Sequence, residues 1–102
     1  MIVYEVRAVV DDAVADGYRA WLEPHIREIL GIPGFTHAEL LEEDAEAGET
    51  VWTVRYHLES REALEQYLRD HAPRLRADGI ARFGVRFRAT RRVMELVRKF
   101  GE

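Results

Sequence analysis

A long amphipathic helix that ends at a sharp turn is the feature that most constrains the fold of this chain. Residues 18–35, YRAWLEPHIREILGIPGF, place their apolar side chains on one helical face. The segment from Gly31 to Gly34 predicts the end of the helix, because glycine and proline do not continue it. Residues 2–10 alternate like a strand before the helix, and two more alternating segments follow the turn. The chain therefore starts as a split β-α-β unit.

The middle of the chain predicts a hairpin followed by a second helix. Residues 35–42 and 50–58 alternate on either side of an acidic turn. Ser60 then predicts the N-cap of a helix with an apolar stripe. Pro73 and Gly79 break that stripe, so we expect two short helices or one helix with an irregular tail.

The last third supplies the closing strand. It is predicted to open directly after Gly84, while residues 93–100 fit a strand or a helix equally well. Pro24 is expected to kink or break the first helix. The order β-α-β-β-α-β predicts a single ferredoxin-like α+β domain over residues 1–102, with an antiparallel four-stranded sheet and its helices on one face.

Composition excludes several classes of protein. The chain has 102 residues, 47% of them hydrophobic, which suits one modest core rather than a disordered segment. It has no cysteine, so disulfides, thiolate nucleophiles and cysteine-based metal sites are excluded. The N-terminus is not typical of a signal peptide and no segment is typical of a membrane span, so a cytoplasmic location without membrane contact is expected.

The formal net charge of −4 conceals an uneven distribution along the chain. Residues 1–73 carry 6 arginines and 16 acids, whereas residues 74–99 carry 9 cations and 2 acids. The basic segment suits either ion pairs with acids of the same fold or of a partner copy, or an anion or nucleic-acid surface. Of the aromatics predicted on the open sheet face only Phe35 is available for base stacking, so nucleic-acid binding is the less favoured alternative.

A hairpin centred near residues 46–47 predicts which side chains face each other across the sheet. Glu39 is expected opposite Arg55, and His37 opposite His57, on the face turned away from the helices. The two histidines with Glu39 offer metal-binding atoms, but they lack the spacing of an H-x-H or H-x-x-x-H pair. We therefore predict an ion-pair network there and no metal.

That outer face mixes charges of both signs with apolar side chains such as Val3, Leu41 and Met94. Apolar side chains are costly to leave in water, and a second sheet laid against them would also allow the charges to pair. We therefore predict a homodimer closed face to face, the alternative being a monomer with an unusually apolar outer face. The predicted dimer face contains Glu5, Arg7, Phe35, Glu39, Leu41, Arg55 and Arg88.

Four motifs together resemble a known group of proteins. They are W-L-x-x-H-I-x-E, G-x-P-G-F, Y-L-x-x-H-A-P-x-L-R and R-F-x-x-x-F-x-A-x-R. The combination resembles an uncharacterised bacterial family, a domain of unknown function, within the dimeric α/β-barrel superfamily. That ferredoxin-like superfamily includes the antibiotic-biosynthesis-type monooxygenases. The resemblance implies paired sheets and a ligand cavity between helices and sheet, and it assigns no activity.

Such a cavity would be lined by the apolar faces of the helices and sheet. His25, beside Pro24 and one turn from Trp21, is the candidate catalytic residue, a general base near neutral pH. Tyr18, Trp21, Tyr56 and His71 are the candidate ligand-binding residues. We expect a small, partly apolar organic ligand there. The cofactor-independent oxygenases of the resembled superfamily make oxygenase-like chemistry without a cofactor one hypothesis for its use. The alternatives are a non-catalytic binding or regulatory protein, and histidines that serve only the core.

Overall fold

The computed structural model describes residues 1–101, and within them no helix is long and apolar enough to cross a membrane. Short 3-10 turns precede the first helix and the last strand. The regular elements are β1 (Ile2–Asp11), α1 (Ala15–Leu30), β2 (Phe35–Glu43), β3 (Glu49–Leu58), α2 (Arg61–Asp70), α3 (Ala72–Phe83) and β4 (Phe87–Glu95).

The four strands form one antiparallel sheet in the order β2-β3-β1-β4. Alternate side chains of the central strands, such as Tyr4 and Val54, pack against the helices in a single core. Leu58 and Val10, at opposite ends of that layer, are fully buried. The order and pairing confirm the predicted ferredoxin-like α+β fold.

The helix boundaries follow local sequence signals. The Ser60 hydroxyl accepts a 3.1 Å hydrogen bond from the Ala63 amide and caps α2. The helical segment breaks at His71, and α3 then begins with Pro73 in its first turn, so two helices form as predicted. The predicted break at Gly79 is wrong, because α3 continues through Gly79 to Phe83. The first helix instead continues through Pro24 without a break.

Gly34 fixes the turn between α1 and β2. Its φ of +94° lies in the left-handed region that glycine tolerates best. A side chain built there would collide with the Cβ of Ala63, so the turn lies directly against α2. The Gly34 carbonyl also accepts a 2.9 Å hydrogen bond from the Glu59 amide. The turn therefore couples the end of the first helix to the start of the second.

The pairing of β2 with β3 confirms the predicted hairpin register and corrects one residue. His37 lies opposite His57 and Glu39 opposite Arg55, but a β-bulge separates His37 from Phe35. Phe35 consequently faces the helices and packs edge-to-face on Tyr56, with ring centroids 5.8 Å apart. The prediction that Phe35 belongs to the outer, dimer face is wrong, because the bulge interrupts the alternation on which it depended.

The last strand starts later than predicted. Residues Gly84–Arg86 form a 3-10 turn that leaves Val85 fully exposed, and β4 begins only at Phe87. Pairing with β1 then continues to Glu95. The ambiguous segment 93–100 is therefore a strand as far as Glu95 and has no regular structure afterwards.

Candidate functional site

A cavity of about 50 Å³ lies between the helices and the inner face of the sheet. Helices α1, α2 and α3 form one wall, and β1, β3 and β4 form the other. Its chemistry is mainly aromatic and aliphatic, with a few polar groups. Its lining includes Tyr4, Tyr18, Trp21, His25, Tyr56, Tyr67, Arg76, Gly79 and Arg91. Leu22, Trp52, Val54 and Phe87 form much of the apolar wall.

Trp21 and His25 stack on one another along α1. Their ring centroids are 4.4 Å apart and their planes differ by 26°. The indole Nε1–H of Trp21 donates a 2.9 Å hydrogen bond to the Asp78 carboxylate on α3. Gly79 allows this arrangement, because a Cβ at that position would lie 3.1 Å from Cη2 of the indole. The stack is therefore held between two helices.

His25 is placed to act as a neutral base. Burial is the main cause that lowers the pKa of His25 below its ordinary 6.5, while the nearby charges of Glu28 and Asp78 raise it. A neutral imidazole has one nitrogen free to accept a proton. The predicted catalytic residue thus lines the cavity in the protonation state that general-base chemistry requires.

Four tyrosines line the same cavity and are all nearly fully buried. Burial raises the pKa of Tyr18 and of Tyr67 to about 12, and it raises the pKa of Tyr56 further still. The phenols of Tyr18, Tyr56 and Tyr67 therefore stay protonated near neutral pH. The Tyr4 hydroxyl accepts a 3.0 Å hydrogen bond from Arg76. Among the hydrogen bonds of residues 1–101, none involves the hydroxyl of the other three.

Those three hydroxyls reach the open space of the cavity. In the described part of the chain, every side-chain nitrogen or oxygen that is fully shielded from solvent has a hydrogen-bond partner. The hydroxyls of Tyr18, Tyr56 and Tyr67 have none, so they are not fully shielded although their residues are at most 4% exposed. The cavity is the space that their side chains line.

Two arginines at the cavity were not selected from the sequence. Arg76 projects from α3 and Arg91 from the helix-facing side of β4, opposite Val6. Both are solvent-exposed residues that also line the cavity, so they mark its opening. The periodicity of the two elements was the signal that could have identified them. It places Arg91 on the helix-facing side of β4 and Arg76 on the side of α3 that faces the cavity.

His71 is the one predicted ligand-binding residue that is absent from the cavity wall as described. It occupies the junction of α2 and α3, where its ring stacks on Tyr67 at 6.5 Å. It therefore contacts the back of a residue that lines the cavity rather than the cavity itself. Tyr18, Trp21, His25 and Tyr56 all line it.

The outer face of the sheet carries a buried carboxylate between two guanidinium groups. Glu5 is 5% exposed, and it accepts hydrogen bonds from Arg92 at 2.6 Å and Arg55 at 3.0 Å. The hydrogen bond from Arg92 has the largest effect on the pKa of Glu5 and lowers it. The bond from Arg55 also lowers this pKa, and the two together outweigh the opposing effect of burial. Beside them, Arg7 donates to Glu43 at 2.9 Å.

An apolar groove runs beside these ion pairs. Val3, Leu41, Met94 and Leu96 line it, and Leu41 is 37% exposed. The outer face thus combines paired charges with exposed apolar surface, as the alternation predicted.

His37, Glu39 and His57 also meet on the outer face. Their ligand atoms lie within 4.8 Å of one another, and His57 Nε2 is 2.7 Å from the Glu39 carboxylate. The two imidazole rings stack in parallel, 4.1 Å apart with a 6° interplanar angle. Imidazole lone pairs lie in the ring plane, so parallel rings do not direct both at one ion. The absence of a metal here stays a prediction.

Four of the nine cations in the basic C-terminal segment form ion pairs within the fold. Arg74 bonds Glu28 at 3.0 Å, and Arg88 lies 3.3 Å from Glu49. Arg82 and Arg92 pair with Asp78 and Glu5 respectively. Three of the four acids, Glu5, Glu28 and Glu49, belong to the acidic remainder of the chain. Part of this segment therefore pairs with acids of the same fold, as the favoured interpretation of the sequence expects.

Three solved structures of similar fold have low sequence identity to this chain. A protein described as a candidate antibiotic biosynthesis monooxygenase from Deinococcus radiodurans gives a TM-score of 0.79 at 12% identity, over 100% of this chain and 98% of that one. SnoaB, a cofactor-independent oxygenase from Streptomyces nogalater, gives 0.71 at 13% over 99% and 98%. MhuD with two manganese protoporphyrin IX molecules per active site gives 0.67 at 22% over 98% and 99%.

At these identities the likeness shows a shared fold. None of the curated proteins matches the sequence. Residues 1–97 match the model of a domain of unknown function, DUF4286. This match covers nearly the whole chain and confirms the resemblance carried by its motifs: the protein belongs to the DUF4286 family, within the fold group of the antibiotic-biosynthesis-type monooxygenases.

Proposed function

We propose that the protein binds a small, partly apolar organic molecule between its helices and sheet and oxidises it without a resident cofactor. One observation carries the proposal: a neutral His25 stacks on Trp21 at an aromatic cavity that also presents unpartnered hydroxyls. A buried site with a few convergent polar groups and a perturbed imidazole has the properties expected of a binding or active site.

In this proposal His25 removes a proton from an acidic C–H or O–H group of the substrate. Trp21 holds the imidazole in place from one side, and the tyrosine hydroxyls stabilise the oxyanion that forms. The resulting electron-rich anion reduces dioxygen and combines with it to give a hydroperoxide. Loss of water then converts an activated CH₂ group to a carbonyl, so that R₂CH₂ and O₂ give R₂C=O and H₂O.

The comparisons support this chemistry by analogy only. SnoaB is a cofactor-independent oxygenase with the same fold, so the fold accommodates such a reaction. MhuD binds a porphyrin, but a macrocycle is far larger than the cavity of about 50 Å³ in this protein. That volume suits a few water molecules, dioxygen or a short chain. A ring-sized substrate therefore requires the Trp21 side chain to move aside.

We also propose that the protein is a homodimer, closed by its outer sheet face, and that it acts in the cytoplasm. The groove of Val3, Leu41, Met94 and Leu96 supports the dimer, because a second sheet would remove it from water. The ion pairs of Glu5 beside the groove would become shielded from solvent without leaving a charge unpaired.

Turnover is tested by oxygen consumption with a panel of phenols and enolisable ketones. The wild-type protein is expected to consume oxygen with at least one member, and His25→Ala to lose about 100-fold or more of that rate. A matched variant, His37→Ala, changes an imidazole on the outer face and should retain the rate. If the panel binds but is never oxidised, the protein is a non-catalytic ligand-binding protein and the enzymatic proposal is wrong.

A further inference from the structure

The polar groups around the cavity are rich in hydrogen-bond donors. Two guanidinium groups and three protonated phenols, which donate as well as accept, line one space together with the imidazole of His25. We infer that the natural ligand is an organic monocarboxylate whose carboxylate is bound by Arg76 and Arg91 and whose apolar part enters the cavity. This inference rests on the proposed function, because it takes the cavity to be the binding site.

The first support is the state of the two arginines. Ten arginines within residues 1–101 form an ion pair with a carboxylate of the same chain. Arg76 and Arg91 are not among them, although acids are abundant in the chain. The only side chain to which Arg76 donates a hydrogen bond in that range is Tyr4, through its hydroxyl. Both positive charges thus remain available at the cavity opening.

The second support is the reach of the Arg91 charge. It opposes the effect of burial on the pKa of Tyr18, Tyr56 and Tyr67, and it also contributes to the lowering of the pKa of His25. The guanidinium, which itself lines the cavity, is therefore close enough to act on these four groups. A carboxylate bound to it would lie within the same cluster, and Arg suits such a planar anion because it donates two parallel hydrogen bonds.

The third support is the three unpartnered hydroxyls of Tyr18, Tyr56 and Tyr67. Each phenol stays protonated near neutral pH and so offers a donor to a ligand oxygen. Because the protein supplies these hydroxyls with no partner, they favour a ligand that brings hydrogen-bond acceptors into the cavity. The apolar walls then favour an organic acid over inorganic phosphate, which has no apolar part to bury.

The test compares acids with their neutral amides of the same shape. Phenylacetate and phenylacetamide are titrated by tryptophan fluorescence, and propionate and propionamide by ligand-observed NMR, at low salt. Inorganic phosphate is titrated in parallel. At least one acid is expected to bind about tenfold or more tightly than its amide, and phosphate should not compete with it. Arg91→Gln is expected to reduce the acid-to-amide ratio to about threefold or less, and Arg76→Gln should reduce it as well.

Arg86→Gln is the matched control, because Arg86 is exposed, forms no ion pair in the described chain and does not line the cavity. It should leave the ratio unchanged. Equal binding of acid and amide would overturn the carboxylate inference and leave the proposed function standing. Competition by phosphate would show that the cluster selects charge alone and would also overturn it. If neither acids nor amides bind, the cavity is not a binding site and both proposals fail.

Discussion

The indole nitrogen of Trp21 on α1 donates its proton to the carboxylate of Asp78 on α3 across 2.9 Å. This contact joins α1 to α3, as the 3.0 Å bond from Arg74 to Glu28 also does, and Trp21 makes it from the wall of the cavity. The other face of the indole carries the imidazole of His25. A movement of Trp21 therefore changes both the wall of the cavity and the position of the His25 imidazole, the candidate base.

Asp78→Asn should loosen this support without unfolding the protein, since Asp78 lies on the surface. We expect a shift in tryptophan emission and a several-fold tighter binding of phenylacetate, because an indole without its charged acceptor moves aside more easily for the ligand ring. Asp70→Asn is the control, because it removes an equally exposed carboxylate that bonds only Arg69 in the described chain. It should change neither the tryptophan emission nor the affinity for phenylacetate. Unchanged emission in Asp78→Asn would show that the contact does not position Trp21.

Gly79→Ala should displace the indole by crowding it. The new Cβ would lie 3.1 Å from Trp21 Cη2, so the ring must shift by a few tenths of an ångström. Helix propensity favours alanine by about 1 kcal/mol, so the free energy of unfolding should change little while ligand binding falls. Gly17→Ala in α1 meets nothing within 4 Å and should gain that stability in full. Thermal unfolding and fluorescence titration separate the two effects.

His25 should make stability and activity depend on pH in the same direction. Its pKa is lowered in the folded protein, so the unfolded chain binds the proton first as pH falls below 6.5. Its contribution to stability is complete above 6.5 and declines below it. The catalytic rate should rise with pH along a limb whose midpoint lies below 6.5. The difference between wild type and His25→Gln in denaturant unfolding, measured from pH 5 to 8, isolates this residue from the other histidines.

Glu5→Gln should destabilise the fold by about 1–2 kcal/mol, because it removes two charge-assisted hydrogen bonds from a buried carboxylate. Since the pKa of Glu5 is lowered, the native carboxylate contributes stability above 4.5 and loses it as pH falls through the folded-state pKa. The two proteins should therefore converge in acid. Glu95→Gln breaks an exposed 3.6 Å pair with Arg61 and should cost at most about 0.5 kcal/mol.

Leu41→Asp should separate the proposed dimer, because it places a charge in the apolar groove of the outer face. Light scattering of the wild type at micromolar concentration should give twice the chain mass of 11.9 kDa. The variant should give the mass of a single chain. Ile80→Asp changes a more exposed apolar residue on α3, away from the sheet face, and should stay dimeric. A wild-type mass near 11.9 kDa would contradict the dimer directly.

The elements and the hairpin register could be predicted because each depends on local chemistry. Ser60 caps its helix as expected, and the turn before Thr50 fixes Glu39 opposite Arg55. The prediction for Phe35 is wrong because it assumes strict alternation along β2, and the sequence gives no signal for the β-bulge that interrupts this alternation. The late start of β4 has a similar cause. The residues Gly84–Arg86 fit the start of a strand as well as a 3-10 turn, so the sequence pattern does not distinguish the two.

The site was only partly predictable. Trp21 and His25 share a helical face, so their place at the cavity follows from periodicity. Arg76 and Arg91 occur in the motifs of the family resemblance, yet their role depends on which arginines find a carboxylate, and that is a property of the folded chain. The small size of the cavity also depends on side-chain packing, which sequence pattern does not determine.

The bulge in β2 has a consequence for how this strand tolerates change in length. Phe35 pairs with Leu58 and His37 pairs with His57, so Thr36 is the extra residue of the bulge and has no partner residue on β3. Removing that threonine would restore an unbroken zigzag with the phenyl ring still inward and the imidazole still outward. Position 36 is thus a place where β2 accommodates loss of a residue without turning its remaining side chains over, and homologous chains one residue shorter there should superpose without rearrangement.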